Sequence, residues 1–561
     1  LGVLLGTFMG GMCLGSFLLP RYIDPRHHPL RVYAYLELGI GAIAVLILFG
    51  MPVLSSVYTA WAGTGVVGIL LRGLAAAICL LPPTLLMGAT LPAMARWVET
   101  TPEGVSWLGF FYGGNIGGAV VGSLLAGFYL LRVHDMVIAT FAGVLLNLTV
   151  GVLALLIARA TPYEAAAPRG ADAVRSKGAW GVYVAIAISG ATALAAQVIW
   201  TRILSLLYGG TVYTFSLILA VFLLGLGIGS SLGSALSRNI ARPRLALAWC
   251  QMLLAGAIAW SAYMLTASLP YWPINPSMAT SPWFTFQLDL VRSLWTILPG
   301  AILWGASFPL ALASVVSGRE DPAKLVGGVY AANTVGAIVG AVGASLILVI
   351  WIGSQHAQQL LIVLSVMSAL LALDAASSEA ASGKSRFALG GTLLLVAAAM
   401  IAAWLARNVG EVPGILIAYG RYAASRVGQA DVIYQGEGWN ASVAVTRLSN
   451  GVLNYHNAGK VQASSEPQDM RLQRMLGHIT TLIPPEPKSV LVIGCGAGVT
   501  AGAVSIEPRL ERLTIAEIEP LVPQVVSTYF AEHNFDVVRN PKTRIHLDDA
   551  RHYLLTTDEK F

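Results

Sequence analysis

The stretch Ser489-Val-Leu-Val-Ile-Gly-Cys-Gly-Ala-Gly-Val-Thr-Ala501 decides how the C-terminal part of this chain folds. A short apolar run, Val490 to Ile493, breaks into Gly494, Gly496 and Gly498, and the residues after them suit a helix. About twenty residues on, the run Leu513-Thr-Ile-Ala-Glu-Ile-Glu-Pro520 carries a carboxylate, Glu517, at its end. Strand, glycine turn, helix and acid-tipped strand form a nucleoside-binding unit. The glycines let the backbone approach the ligand, and the acid accepts hydrogen bonds from ribose hydroxyls.

Outward from this stretch the composition changes. The chain has 561 residues, 56% of them hydrophobic and only 11% charged. Soluble domains carry about a quarter charged residues, so the bulk of the chain belongs in a lipid bilayer. Long apolar runs dominate up to about residue 408, after which charge density rises. The net charge of +6 comes mainly from arginines between apolar runs, which points to membrane topology and away from nucleic acid. Cys13, Cys79, Cys250 and Cys495 show no paired spacing, and no metal site is expected. The chain opens at Leu1 inside an apolar span and stops at Phe561 inside an alternating fold, so both ends read as cut.

The membrane part repeats itself. Phe111-Tyr-Gly-Gly-Asn-Ile-Gly-Gly-Ala-Val-Val-Gly122 returns as Val329-Tyr-Ala-Ala-Asn-Thr-Val-Gly-Ala-Ile-Val-Gly340. Met87-Gly-Ala-Thr-Leu-Pro92 returns as Trp304-Gly-Ala-Ser-Phe-Pro309, and Leu14-Gly-Ser16 as Leu232-Gly-Ser234. An offset that stays at 217 or 218 residues marks a duplication. The second copy predicts six spans, near 180–206, 212–236, 245–267, 290–316, 325–350 and 355–375. The first predicts five, near 1–19, 32–52, 65–95, 107–131 and 134–158, with the counterpart of 180–206 missing. An even span number gives both copies one orientation, as in the halves of major facilitator transporters, whose glycine- and arginine-bearing loop the two 2–3 loops resemble. Glycines four apart, such as Gly114, Gly118 and Gly122 or Gly225, Gly229 and Gly233, permit close helix contact. Polar groups inside spans are few: Glu37, Arg72, Arg202, Arg292 and the paired Asn115 and Asn333.

Arginines and lysines fall on one side of these spans, including Arg21, Arg26, Arg96, Arg159, Arg169, Arg175, Lys177, Arg238, Arg242, Arg319 and Lys384. Arg132 is the exception, and the opposite loops 52–64, 207–211 and 268–288 hold neither residue. The arginine side is expected to be cytoplasmic. One further span, 387–406, crosses without charge and places everything after it outside the cytoplasm.

Beyond it, Val412 to Tyr422 is expected along the membrane surface. Strands follow at Asp431–Tyr434 and Ala441–Arg447, then a hairpin at Ser449-Asn-Gly451, another strand pair around Ala458-Gly459 and a helix over Asp469–Ile483.

Asn457-Ala-Gly-Lys-Val-Gln-Ala463, Asp469, His478, the glycine turn, Ala516-Glu-Ile-Glu-Pro520 and Leu547-Asp-Asp-Ala-Arg-His-Tyr-Leu554 together resemble the spermidine synthase (polyamine aminopropyltransferase) family. The likeness is to its membrane-fused members, which Gln197-Val-Ile-Trp-Thr-Arg-Ile-Leu204 and Phe222–Gly229 also resemble. The resemblance implies a decarboxylated S-adenosylmethionine or related adenosyl ligand. Gly494, Gly496 and Gly498 would hold it, with Glu517 on the ribose and Asp549 beside the adenine. Gln462 and Asp469 match residues at the polyamine pocket entrance. Two departures stand out. The soluble enzymes have an Asp where this chain has Ala497, and Tyr-His where it has Gln473-Arg474. An arginine there opposes a cationic polyamine. The family's catalytic Asp falls past Phe561, so no catalytic residue is assigned. Cys495, His478 and His552 read as structural, and Arg551 as solvent-facing or paired with an acid.

The expected architecture is a multi-pass α-helical membrane domain followed by a small β module and a Rossmann-like α/β domain of methyltransferase type. Residues 1–158 form an incomplete first repeat, 159–178 a cytoplasmic linker, 179–376 the second repeat and 387–406 the extra helix. Residues 407–483 form the interfacial segment, β module and connecting helix, and 484–561 an incomplete spermidine synthase-like domain. Two functions are compatible with this. One is an integral membrane transferase, in a bacterial inner or plasma membrane, moving an aminopropyl or related group to an amine. The alternative is a non-catalytic transporter-like or accessory subunit of a larger membrane complex, with a degenerate nucleoside-binding domain and a small amine or nucleoside as ligand.

The charge distribution predicts a testable topology. A reporter fused after Ala406 should behave as extracytoplasmic, and protease added to intact spheroplasts should cut the domain beyond it. Protection in spheroplasts with cleavage only after lysis would reverse the orientation.

Overall fold

A computed structural model describes residues 2–24, 26–61, 66–98, 104–163, 179–274, 281–315, 322–380 and 386–561. The first repeat holds α1 (Gly2–Tyr22), α2 (Pro29–Trp61), α3 (Val66–Val98), α4 (Gly104–Leu125), the short α5 (Leu131–Val133) and α6 (Met136–Ala160). The second holds α7 (Ala179–Tyr208), α8 (Val212–Asn239), α9 (Pro243–Tyr263), α10 (Pro282–Val315), α11 (Pro322–Gly343) and α12 (Val349–Ala380). Among the described residues, nine helical stretches are long and apolar enough to cross a membrane; one, Gly327–Leu373, runs through two of these helices. Gly353, at φ 73°, breaks the path inside it. Arg169, Arg175, Lys177, Arg319 and Lys384 lie outside the described residues, as does most of the 159–178 linker.

The duplication is visible in the packing. α1 lies against α3 as α8 lies against α10, and α2 against α6 as α9 against α12. Across the repeats, α4 meets α8 and α1 meets α11, the same pairing with the copies exchanged. Each copy widens into a π-helical turn at the matching place, after α4 at Ala126–Leu130 and after α11 at Ala344–Leu348. The small residues explain the matching contacts. A Cβ at Gly15 would stand 1.9 Å from the Leu85 carbonyl oxygen, and one at Gly233 2.8 Å from Ala306. Gly88 and Gly305 face the backbones of Met12 and Leu226 in the same way. With no apolar driving force between helices in lipid, such backbone approach supplies the packing.

The copies differ at one face. Gly336 and Gly340 of α11 lie against the Ala187 and Ala191 carbonyls of α7, where a Cβ would come within 1.8 and 2.0 Å. Their counterparts on α4, Gly118 and Gly122, meet nothing within 4 Å. Among the described residues no helix of the first repeat takes the part that α7 takes in the second.

The helix α13 (Arg386–Arg407) leads to α14 (Gly414–Tyr419), a 3-10 turn at Gly420–Tyr422 and α15 (Ala423–Arg426). The segment 412–422, expected along the membrane surface, packs on the ends of the helices. Leu416, Ile417 and Ala418 are buried in one core with α7, α9 and α12, because their apolar side chains meet the helix ends there. A four-stranded antiparallel sheet follows in the order β1 (Ala430–Glu437), β2 (Ser442–Leu448), β3 (Leu453–Asn457), β4 (Lys460–Ser464). His456 of β3 ties the sheet to α14. Its Nδ1 donates to the Ala418 carbonyl and its Nε2 accepts from the Thr446 hydroxyl, each at 2.8 Å. Burial pushes this imidazole down to about 4, so it stays neutral.

Then come α16 (Pro467–Leu482), β5 (Ser489–Ile493), α17 (Val499–Ser505), β6 (Arg512–Glu517), α18 (Leu521–Tyr529), β7 (Thr543–Leu547) and α19 (Ala550–Thr556). The strands form a parallel sheet in the order β5-β6-β7. The expected strand and helix sequence of the soluble part is present throughout.

The two glycine rows give a paired test. Gly336→Ala should destabilise the protein by about 1–3 kcal/mol through overpacking against Ala187, while Gly118→Ala should stay within about 0.5 kcal/mol of the parent. Thermal melting in detergent measures both, and equal losses would sink the packing argument.

Candidate nucleoside-binding site

The glycine turn sits where its sequence demands. Gly494, Gly496 and Gly498 adopt φ of 79°, 53° and 78°, a region that side chains disfavour. The turn is closed by Gly498 N–H donating to the Cys495 carbonyl at 2.8 Å and Gly494 N–H to Ala516 at 2.8 Å. A Cβ at Gly494 or Gly496 would meet open space, so the backbone is open to approach there. Ligands of open parallel sheets bind at the carboxyl ends of the strands. Here Ile493, Ile518 and Leu547, at or just past those ends, are 65%, 49% and 56% exposed, an apolar surface suited to a purine.

Glu517 ends β6 beside this turn. One carboxylate oxygen accepts from the Cys495 N–H at 2.7 Å and the other from the Glu519 N–H at 2.9 Å. Both oxygens keep further lone pairs for hydroxyl donors. Asp549 stands next to the end of β6, since the preceding Asp548 N–H donates to the Glu517 carbonyl at 3.1 Å. Asp549 also caps α19, accepting from the N–H groups of Arg551 and His552 at 2.8 and 3.2 Å. Thus Gly494, Gly496, Glu517 and Asp549 lie around the carboxyl ends of β5, β6 and β7, while Gly498 packs against the Asn534 side chain. Gln462 is exposed on β4, and Asp469 in the first turn of α16 accepts from the Ser464 N–H and hydroxyl at 2.6 and 2.9 Å. That carboxylate is already engaged locally.

Cys495 is buried in the turn, and burial followed by the Glu517 charge pushes its thiol up to about 12. Ala497, only 2% exposed, packs in the soluble core, and Asn534 donates to its carbonyl at 3.0 Å.

Several residues that the sequence reading passed over hold the site in place. Glu519, 1% exposed, accepts from the N–H groups of Asn440 and Ala441 at 2.6 and 3.1 Å. The turn between β1 and β2 is thereby stapled to the end of β6. Arg202 of α7 donates to the Gly438 carbonyl in that same turn. Glu437 accepts from the N–H and hydroxyl of Ser354, just after the break in α12, at 2.9 and 2.6 Å. Arg421 meets the buried Asp289 of α10 at 2.7 Å. On the other repeat, Arg72 of α3 bonds Asp548 at 2.9 Å, and His552 bonds the second oxygen of the same carboxylate. Partial burial works to raise Asp548, but the bonds from His552 and Arg72 outweigh it and hold the group below the usual carboxylate range. Of the span charges singled out by sequence, Arg72 and Arg202 thus reach the soluble domain. Their signal was their placement near the loops that lack arginine. The Glu-Ile-Glu spacing was the only local hint of Glu519.

Residues 469–561 match the spermine/spermidine synthase domain. A polyamine aminopropyltransferase of Corynebacterium efficiens is 25% identical over 379 residues, covering 66% of this chain and 66% of the relative. The match therefore spans just under two-thirds of that relative's length. A spermidine synthase structure from Thermotoga maritima has 22% identity and a TM-score of 0.21, over 22% of this chain and 43% of that one. The fucose:proton symporter FucP of E. coli has 12% identity and a TM-score of 0.37, over 66% of this chain and 93% of its own. The chain carries a spermine/spermidine synthase domain at its C-terminal end, after a region of long apolar helices.

The state of the turn thiol is directly measurable. Alkylation of Cys495 by iodoacetamide at pH 8, followed peptide by peptide, should be at least about 100-fold slower in the native protein than after denaturation, because only the thiolate reacts. Native labelling at the rate of an ordinary thiol would contradict the burial.

Proposed function

We propose that the spermine/spermidine synthase domain binds a decarboxylated S-adenosylmethionine-type nucleoside at the glycine turn, in a protein integral to the membrane. The observation that carries this reading is the carboxylate of Glu517 held at the mouth of three left-handed glycines. In it Glu517 takes the ribose hydroxyls, Asp549 the adenine edge, and Ile493, Ile518 and Leu547 the purine faces. The ligand supplies an electrophilic carbon next to its sulfonium. The contribution of this chain is positioning: it fixes the nucleoside so that an amine approaches along one line. Gln462 and Asp469 border the approach.

Arg72 and Arg202, which bond the domain, stand near loops 52–64 and 207–211, which lack arginine and lysine. Under the charge rule this end faces away from the cytoplasm, in a bacterial inner or plasma membrane. A second reading, binding without turnover within a membrane complex, is favoured by two observations. Ala497 offers no carboxylate to an amine, and Asp469 is bonded to Ser464.

Calorimetry on the full chain in detergent tests the binding. The decarboxylated donor or its thioether product should bind, and Glu517→Ala should weaken binding about 10- to 100-fold, the loss of two hydrogen bonds to a charged acceptor. Unchanged affinity in that variant would refute the ribose role. Turnover of bound donor with an amine separates the transferase from the non-catalytic reading.

A further inference from the structure

A second concavity lies beside the glycine turn, between α16 and the loop after α18. It is a groove of about 620 Å³ lined by Ser465, Pro467, Met470, Arg471, Arg474, Met475, His478 and His533, within the size range of small-ligand sites. Its polar lining is basic: two guanidinium groups, two imidazoles and no carboxylate. Of the neighbouring acids, Glu466 and Glu532 are exposed beside the lining, and two others are engaged locally. Asp469 is bonded to Ser464, and Asp536 pairs with Arg539 at 3.4 Å.

The groove is built, in two respects. Phe535 and Asp536 are consecutive non-glycine residues at φ 55° and 48°, a conformation that side chains rarely adopt. It presents the Phe535 ring as a shelf 5.3 Å from the Arg474 guanidinium. Arg474 Nε is buried with no hydrogen-bond partner. A buried donor left unpaired is costly and calls for an acceptor. The groove also adjoins the candidate site. His533 of its wall precedes Asn534, whose amide bonds the Ala497 carbonyl, and Thr500 of α17 donates to the Gln473 carbonyl at 3.1 Å.

We propose that this groove seats the carboxylate of the amine that meets the bound nucleoside. That second ligand is then an amino acid-type molecule bearing both an ammonium and a carboxylate, not a polyamine with cations at both ends. A guanidinium on an aromatic shelf matches a planar carboxylate. The same charges repel a diamine. The word "second" rests on the nucleoside reading above; the anion preference of the groove does not.

Matched pairs that differ only in the carboxylate provide the test. Ornithine against putrescine, and lysine against cadaverine, are titrated into the full chain in detergent, with and without the decarboxylated donor. The amino acids should bind at least about 10-fold more tightly than their diamines, a difference reasonable for one charge-assisted contact. Arg474→Glu should abolish or invert the preference, and Arg474→Gln, which keeps a polar side chain in place, should reduce it. Equal or tighter diamine binding overturns the proposal, as does a preference that survives both substitutions, or no binding by any of the four. If the preference holds while the donor fails to bind, the groove stands and the nucleoside reading falls. If the donor binds and the amino acids do not, the reverse follows.

Discussion

The soluble domain depends on one buried carboxylate, Glu519. Its oxygens gather the backbone of the turn between β1 and β2, and its own N–H fixes one oxygen of Glu517. Glu517 in turn holds the N–H of Cys495 in the glycine turn. A charge this deep is tolerated only with several donors around it, and here the donors are backbone N–H groups of the turn between β1 and β2 and of Leu521 at the start of α18. Glu519 thereby ties the sheet of the β module to the end of the parallel sheet, beside the Asn440 amide bond to the Ile518 carbonyl and the core the two sheets share. Adding a Cβ at Gly438 would strike that side chain, within 2.3 Å of its oxygen, so the turn must pass as bare backbone.

Much of this was legible in the sequence, for reasons that are local. The duplicated glycines announce backbone contact because only a missing Cβ permits it, and their spacing of four places them on one helix face. The three turn glycines declare a conformation that other residues resist, and all three adopt it. The hairpins at Ser449-Asn-Gly451 and Ala458-Gly459 are signalled by turn chemistry alone. The strand order of the small sheets follows from such connections.

What stayed hidden is held by partners far apart in the chain. Nothing near Arg202 marks Gly438 as its acceptor, and nothing near Arg72 marks Asp548. Both arginines looked like charges at the rim of a span, a position that snorkelling also explains. Asp289 drew no notice because an acid close to a helix start is ordinary; its complete burial against Arg421 is a tertiary fact. The packing of 412–422 is hidden for a related reason: an apolar stretch after a span suits the lipid surface, and only the neighbouring helix ends show which of its side chains enter the protein core.

The arrangement of the inter-domain contacts has a mechanical consequence. The β module is fastened to the second repeat, through Arg202, Ser354 and Asp289, whereas the far edge of the parallel sheet is fastened to the first, through Arg72. The candidate site therefore bridges the seam between the two helical bundles, like a gauge mounted across a joint. A rotation of one bundle against the other would load the Arg72–Asp548 bond at one end of the parallel sheet and the Arg202, Ser354 and Asp289 contacts at the other.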